Sequence, residues 1–252
     1  MGIKEGAYAQ RMTKPYFNYV ADLHTHTGAS GRTHASGTVE EMAEMAAQRG
    51  LKLIAVTDHG PATAGAFEPG YFKNFSAFPM KIGNVTVLRG VEANVTALDS
   101  SLDVPSSTLA GLEWVIASLH VDVFEPADFN AHTEIYLRLA ENPFVDMIGH
   151  PDTPAYEFDH KRVLQEFRAK GKVIEINGPR NMEICEKIAK LCMKYGVRVA
   201  VNSDTHSPYG VGNVKPALAM LERIGFPEEL ILNADVERIL SHVRKRHPQY
   251  SC

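Results

Sequence analysis

Short runs of β-branched and aliphatic residues recur along the chain, each followed by a stretch in which apolar residues return every three or four positions. The short runs are "YVADLH" (19–24), "LIAVTDH" (53–59), "VTVLRGVEANV" (85–95), "WVIASLH" (114–120), "VDMIGH" (145–150), "VIEING" (173–178) and "RVAVNSD" (198–204), which predict seven strands. Between them, "TVEEMAEMAAQRG" has the spacing of a capping box, Thr38 to Glu41, and closes on Gly50. "HTEIYLRLAEN", "HKRVLQEFRAKG", "NMEICEKIAKLCMKYG", "VKPALAMLERIG" and "DVERILSHVRKR" carry the same helical period. This alternation implies a parallel sheet, and the near-continuous apolar runs fit strands covered on both faces. No repeat, low-complexity tract or linker divides the 252 residues. Barrels of alternating strands and helices reach this length undivided, so the expectation is one domain over 1–252.

Polar residues fall at one end of nearly every strand. The first runs into His24 and His26, the second into His59, and the third carries Glu92. The fourth ends at His120, the fifth at His150, and the seventh runs into Asp204 and His206. Only "EINGPR" offers Asn177 instead, while His34 lies in the loop after the first strand. Strands that all point one way around a closed barrel bring these side chains to one mouth, whereas an open sheet spreads them along an edge. The pattern therefore favours an α/β fold, a seven-stranded (β/α)7 barrel of TIM-like type.

Alternate residues of a strand share a face, so His24 and His26 suit one metal ion. Imidazoles with a few carboxylates fit zinc, manganese or iron. So many donors exceed one tetrahedral ion and could hold two or three if a carboxylate such as Glu92 bridges. Such a centre makes hydroxide at neutral pH and offsets charge on a phosphoryl oxygen, which is chemistry for phosphoester hydrolysis. Asp58, beside His59, could orient a ligand, and Asp22 reads equally as structural. His132, His160, His242 and His247 fall in or near helical stretches and read as packing or surface residues. No Ser-His-Asp or Cys-His arrangement argues for a protein nucleophile.

The formal net charge of −4 and the lack of a long basic run give no footprint for long nucleic acid. The basic tail "HVRKRHPQY" reads as a solvated helix end favoured by the helix dipole. Cys185 and Cys192 align with Met182, Ile188 and Ala189 as core positions, Cys252 is terminal, and no CxxC is present. With no apolar leader or membrane-length run, the expectation is a reduced, cytoplasmic protein without a membrane partner. Arg32, Arg89 and Arg180 lie near motifs; structural ion pairs are favoured over phosphate clamps. The aromatic-rich segment 61–84 reads either as a lid or pocket wall, or as a long loop with a short packed helix.

Taken in order, "DLHTHT", "TDHG", "GVEANV", "ASLH", "GHPD" and "NSDTH" resemble the PHP (polymerase and histidinol phosphatase) family of metal-dependent phosphoesterases, over about residues 18 to 230. Within it the chain looks most like the small stand-alone bacterial phosphatases. That resemblance implies a distorted seven-stranded barrel with three divalent ions, zinc before manganese or iron. Carried over, His24, His26, Glu92 and Asp204 would hold the first ion. Glu92 would bridge to a second held by His120 and His150, and His34, His59 and His206 would hold the third. A hydroxide on the metals would attack phosphorus in line, with Glu92 and Asp204 as the catalytic carboxylates and Asp204 a candidate proton acceptor. The implied substrate is a small phosphorylated metabolite, and the resemblance allows a homo-oligomer. Two alternatives stand: a nuclease or phosphodiesterase acting on short nucleic acid, and a metal-binding protein without turnover. An amidohydrolase barrel also opens on His-x-His, but typically has a modified lysine where this chain has His120.

Overall fold

A computed structural model of the protein describes residues 17–31 and 33–248. Arg32, Cys252 and the last residues of the basic tail lie outside them. All seven expected strands form: β1 (Ala21–Thr25), β2 (Leu53–Val56), β4 (Val85–Asn94), β5 (Trp114–Ser118), β6 (Met147–Ile148), β7 (Val173–Asn177) and β8 (Arg198–Asn202). They pair in parallel in the order β1-β2-β4-β5-β6-β7-β8. An eighth, β3 (Lys81–Ile82), pairs antiparallel with the start of β4. Its signal was present in "KIGNV", two short apolar positions around Gly83-Asn84, a turn dipeptide.

The barrel is nearly closed. Between β8 and β1 the bonding is continued by side chains where backbone pairing is sparse. Asn233 Nδ2 donates to Ala21 O and Val201 O at 2.9 and 2.6 Å, and Val201 N donates to Asn233 Oδ1 at 3.0 Å. Asn202 Oδ1 accepts from Leu23 N, and Asp22 accepts from Ser203 N and Oγ, so Asp22 serves the seam.

The helices are α1 (Val39–Gln48), α2 (Pro69–Asn74), α3 (Ser106–Leu109), α4 (Phe129–Glu141), α5 (His160–Lys170), α6 (Met182–Tyr195), α7 (Lys215–Arg223) and α8 (Val236–Val243). The Thr38–Glu41 capping box closes on both sides. In segment 61–84 the packed-helix reading holds: α2 buries Phe72, and Phe75 follows it into the core. Cys185 and Cys192 are buried on α6. No helix among the described residues is long and apolar enough to cross a membrane.

Strand alternation sorts the core into two shells. Ile54, Val56, Val87, Val91, Val115, Ile174 and Val199 face the helices. Leu53, Ala55, Leu88, Trp114, Ile116, Met147, Val173 and Ala200 fill the barrel, with Ile239 and Val243 of α8 plugging its N-terminal end. Followed toward the C-terminal end, the inward phase turns polar: Glu92 and Asn94 after Leu88, Ser118 after Ile116, Glu175 and Asn177 after Val173, and Asn202 after Ala200.

Candidate metal centre

β1 enters this scheme out of phase, because Ala21 and Leu23 occupy the inward positions. A bulge corrects it. Asp22 pairs with Ile54 but Thr25 with Val56, so three steps along β1 match two along β2. The extra residue re-aims the strand, as bulges beside functional sites do, and turns His24 and His26 inward.

Nine side chains from the strand ends and adjoining loops meet at this end. His24 Nε2 lies 3.4 Å from Glu92 Oε1 and 3.5 Å from Asp204 Oδ1. His26 Nε2 lies 3.5 Å from Glu92 Oε2 and 3.3 Å from Asp204 Oδ1. His120 and His150 present Nε2 atoms 3.1 Å apart, at 3.3 and 2.9 Å from Glu92 Oε1. His59 Nε2 stands 3.1 Å from His34 Nε2 and 3.3 Å from His206 Nε2, while His59 Nδ1 is 2.7 Å from Glu92 Oε2. The structure thus brings together every residue singled out at the strand ends, and His34 with them.

These separations have a physical reading. Donors bound at 2.0–2.1 Å to one tetrahedral ion stand about 3.3 Å apart. His24 Nε2, His26 Nε2, His59 Nδ1 and Glu92 Oε2 are buried and have no hydrogen-bond partner. Buried polar atoms are rarely left so, and lone pairs that converge without a donor between them fit a cation. His24, His26 and Glu92, then His26, His59 and His206, then His59, Glu92 and His120, each place ligand atoms within 4.8 Å of one another.

The opposite ring nitrogens fix the tautomers. His24 Nδ1 donates to Glu175 Oε1 at 2.8 Å, His120 Nδ1 to Asn94 Oδ1 at 2.7 Å, and His206 Nδ1 to Asp204 O at 3.0 Å. With Nδ1 protonated, each Nε2 offers a lone pair inward. His26 Nδ1 lies 2.9 Å from Ser30 Oγ, and Ser30 donates onward to Asp58 Oδ1 at 2.8 Å. Asp58 therefore reaches His26 through a serine rather than holding its neighbour His59. Tyr71 of α2 donates to its other oxygen at 2.9 Å, which ties the aromatic segment to the centre.

Sequence reasoning missed Glu175, Asn94, Ser30 and the donor role of Asn177, whose Nδ2 reaches Asp204 Oδ2 at 3.0 Å. Glu175 was legible as a charge set between β-branched residues of a buried strand, in phase with Asn177. It also accepts from His150 N at 2.7 Å and Asn202 Nδ2 at 2.9 Å. Replacing Glu175 with Gln is expected to lower metal affinity by about 10- to 100-fold, measured by competition with a chromophoric chelator. Wild-type affinity would deny Glu175 its part in orienting His24.

Charge is arranged to match. Burial pulls His26 well below its ordinary range, helped by His59 nearby, and burial takes His206 down to about 4, so both rings are neutral at pH 7. Burial works against ionised Glu92, but His120, His24 and His59 outweigh it and hold the carboxyl well down. Burial likewise opposes the charged form of His24, yet Glu175, Asp204 and Glu92 raise it, so the carboxylates around Nε2 favour a positive charge there, a proton or the cation that would replace it.

Backbone strain concentrates here too. His150 (φ 28°) and Asp204 (φ 51°) are two of the three described non-glycine residues at positive φ. Such conformations cost on the order of 1–3 kcal/mol each and persist where surrounding structure enforces them. Gly149 precedes His150 because a Cβ there would meet Ser118 Oγ and sit 3.3 Å from Glu92 Oε1.

The expected helical and tail histidines are structural. His132 accepts from Ala127 N, His160 lies on Phe158, His242 meets Asp146, and His247 meets Leu112 O. Arg89 pairs with Glu113. Arg180 does reach the mouth, 3.6 Å from Asp204 Oδ2, beside a cavity of about 230 Å³ walled by candidate ligands.

A nearly closed parallel barrel whose C-terminal mouth gathers imidazoles and carboxylates around unpartnered lone pairs is a metal-binding α/β barrel in its architecture and donor set. More particularly, the PHP domain model matches residues 22–203, and the chain belongs to that family. It is 42% identical over 235 residues to a probable phosphatase of Caldanaerobacter subterraneus subsp. tengcongensis, covering 90% of this chain and 92% of that one. A probable phosphatase of Thermoanaerobacter sp. (strain X514) is 41% identical over 235 residues, with 90% and 95% covered. Among solved structures, the histidinol phosphate phosphatase of Lactococcus lactis subsp. lactis, complexed with zinc, L-histidinol and phosphate, superposes with a TM-score of 0.60. That match covers 83% of this chain and 95% of the other at 18% identity, and shows the shared fold.

Proposed function

We propose that the protein is a metal-dependent phosphatase of small phosphate monoesters. The observation that carries this reading is the convergence of buried, unpartnered donor atoms at coordination spacing around Glu92. Three divalent ions fit the donors, zinc first, with manganese or iron as alternatives. His24, His26, Glu92 and Asp204 would hold one, Glu92 with His120 and His150 a second, and His34, His59 and His206 a third. Bound ions supply Lewis acidity that lowers the pKa of water and offsets charge building on phosphoryl oxygens.

The chain's own residues do the rest. Glu175, Asn94 and Ser30 hold three rings in the ligating orientation. Asn177 donates to Asp204 Oδ2 and so holds Asp204 Oδ1 toward His24 and His26, where it would complete the first donor set. Arg180 stands where its guanidinium can bind a phosphoryl oxygen. A cavity of about 230 Å³ has room for a small phosphate ester, which supports small substrates over long nucleic acid. The curated relatives named as phosphatases, and the Lactococcus enzyme seen with histidinol and phosphate, support the monoester class.

The test is metal content per chain by elemental analysis of protein purified without added metal, beside hydrolysis of phenyl phosphate. Two or three ions per chain are expected, with activity lost on chelation and restored by zinc, manganese or iron. Fewer than one ion, and no hydrolysis after metal is supplied, would leave a non-catalytic protein. Bound metal without monoester hydrolysis would move the reading to diesters and short oligonucleotides.

A further inference from the structure

Beside the mouth cavity of about 230 Å³ lies a larger groove of about 500 Å³, between the loop that precedes α5 and the face of α6. Thr153 lines both spaces. Its hydroxyl lies 3.4 Å from His150 Nδ1 on one side and accepts from Arg180 at 3.3 Å. The groove wall is apolar along α6, through Ile184, Ile188 and Leu191, and it carries one buried charge that the fold serves poorly.

That charge is Asp152. Its side chain is 3% exposed, and its one hydrogen bond among the described residues comes from its own backbone N–H. Its one ion-pair partner is Arg180 Nε at 3.8 Å, beyond hydrogen-bond range, and that guanidinium is already shared with Thr153 and the approach to Asp204. A carboxylate so withdrawn from water costs free energy unless donors reach it. The fold meets that need elsewhere: Asp58, equally buried, takes donors from Thr27, Ser30 and Tyr71.

Resting on the phosphatase reading, we propose that this groove receives the alcohol portion of the substrate and that Asp152 selects esters carrying a hydrogen-bond donor, hydroxyl or ammonium, on that portion. Phosphate sits at the metal centre, Arg180 stands at the junction, and an aliphatic or ring segment lies along Ile184 and Leu191. Asp152 is then a specificity-determining residue, outside the bond-breaking step.

The experiment uses metal-loaded protein and three series of esters of two to six carbons: n-alkyl, ω-hydroxyalkyl and ω-aminoalkyl phosphates. The readout is the ratio of kcat/KM for each donor-bearing ester to its n-alkyl parent, in which general effects on phosphate binding or folding cancel. Wild type is expected to show a ratio of about tenfold or more at the chain length that reaches Asp152, falling toward one in Asp152→Leu, which keeps the volume and removes the acceptor. A preference confined to the amines identifies a cation, and one shared with the alcohols identifies hydrogen bonding. Ile184→Trp, which fills the groove, is expected to raise KM for six-carbon esters and spare two-carbon ones. A flat ratio in wild type at every length, or one that survives Asp152→Leu, overturns the proposal while phenyl phosphate turnover leaves the phosphatase reading standing. No hydrolysis of any ester overturns both.

Discussion

Glu92→Gln is expected to cut kcat/KM for phosphate monoesters by about 10³-fold or more and to remove at least one metal ion per chain. Glu92 is the carboxylate on which the donor sets meet. One oxygen lies within 3.4 Å of His24, His120 and His150, and the other lies 2.7 Å from His59 and 3.5 Å from His26. An amide keeps the shape but replaces one of these oxygens with a group that has no lone pair to give. It also deletes the negative charge that offsets cations in a pocket where Glu92 itself is fully buried. The metal-free fold is expected to lose some stability as well, because the histidines around Glu92 favour its ionised form. Steady-state kinetics, elemental analysis and thermal melting of chelated protein separate these effects. A variant that keeps both its metal and its rate would take Glu92 out of the centre.

The order of elements and the donor set were legible in the sequence for one reason: each rests on local pattern. β-branched runs and helical periods are properties of a few adjacent residues, and a histidine at a strand end needs only the strand to be placed. What was not legible depends on residues far apart in sequence. Glu175 orients His24 across 151 positions, and Asn94 serves His120 across 26. Asn233 completes the barrel between Ala21 and Val201, a role that neither its helical surroundings nor its residue type announces. The β1 bulge is the subtlest case. Read as a regular strand in phase with Ala21 and Leu23, His24 would face the helices. The pairing of Asp22 with Ile54 and of Thr25 with Val56 turns it inward. Shared facing of His24 and His26 follows from spacing, whereas facing the barrel does not. Arg180 shows the same limit, since only the fold carries it past Thr153 to the mouth.

At the other end of the barrel, Asp146→Asn is expected to lower stability by about 3 kcal/mol or more while leaving turnover per folded molecule intact. Asp146 is buried just before β6 and accepts from Val115 N at 2.9 Å, tying β5 to β6. It also accepts from His242 Nε2 at 3.1 Å and from Arg246, which itself donates to Leu112 O at 3.2 Å. These bonds hold α8 where Ile239 and Val243 plug the barrel. The amide keeps the volume and removes the charge, leaving a largely buried guanidinium without its counter-ion. Burial opposes the ionised form of Asp146, but His242 and Arg246 outweigh it and hold the carboxyl below its ordinary range. A folded-state pKa below the unfolded one contributes stability above the unfolded value and loses it as pH falls through the folded value. The gap between wild type and variant in urea denaturation should therefore be full above about pH 4 and close as pH falls below it. A gap of the same size at pH 3 would assign the effect to lost shape or hydrogen bonding and deny the charge its role.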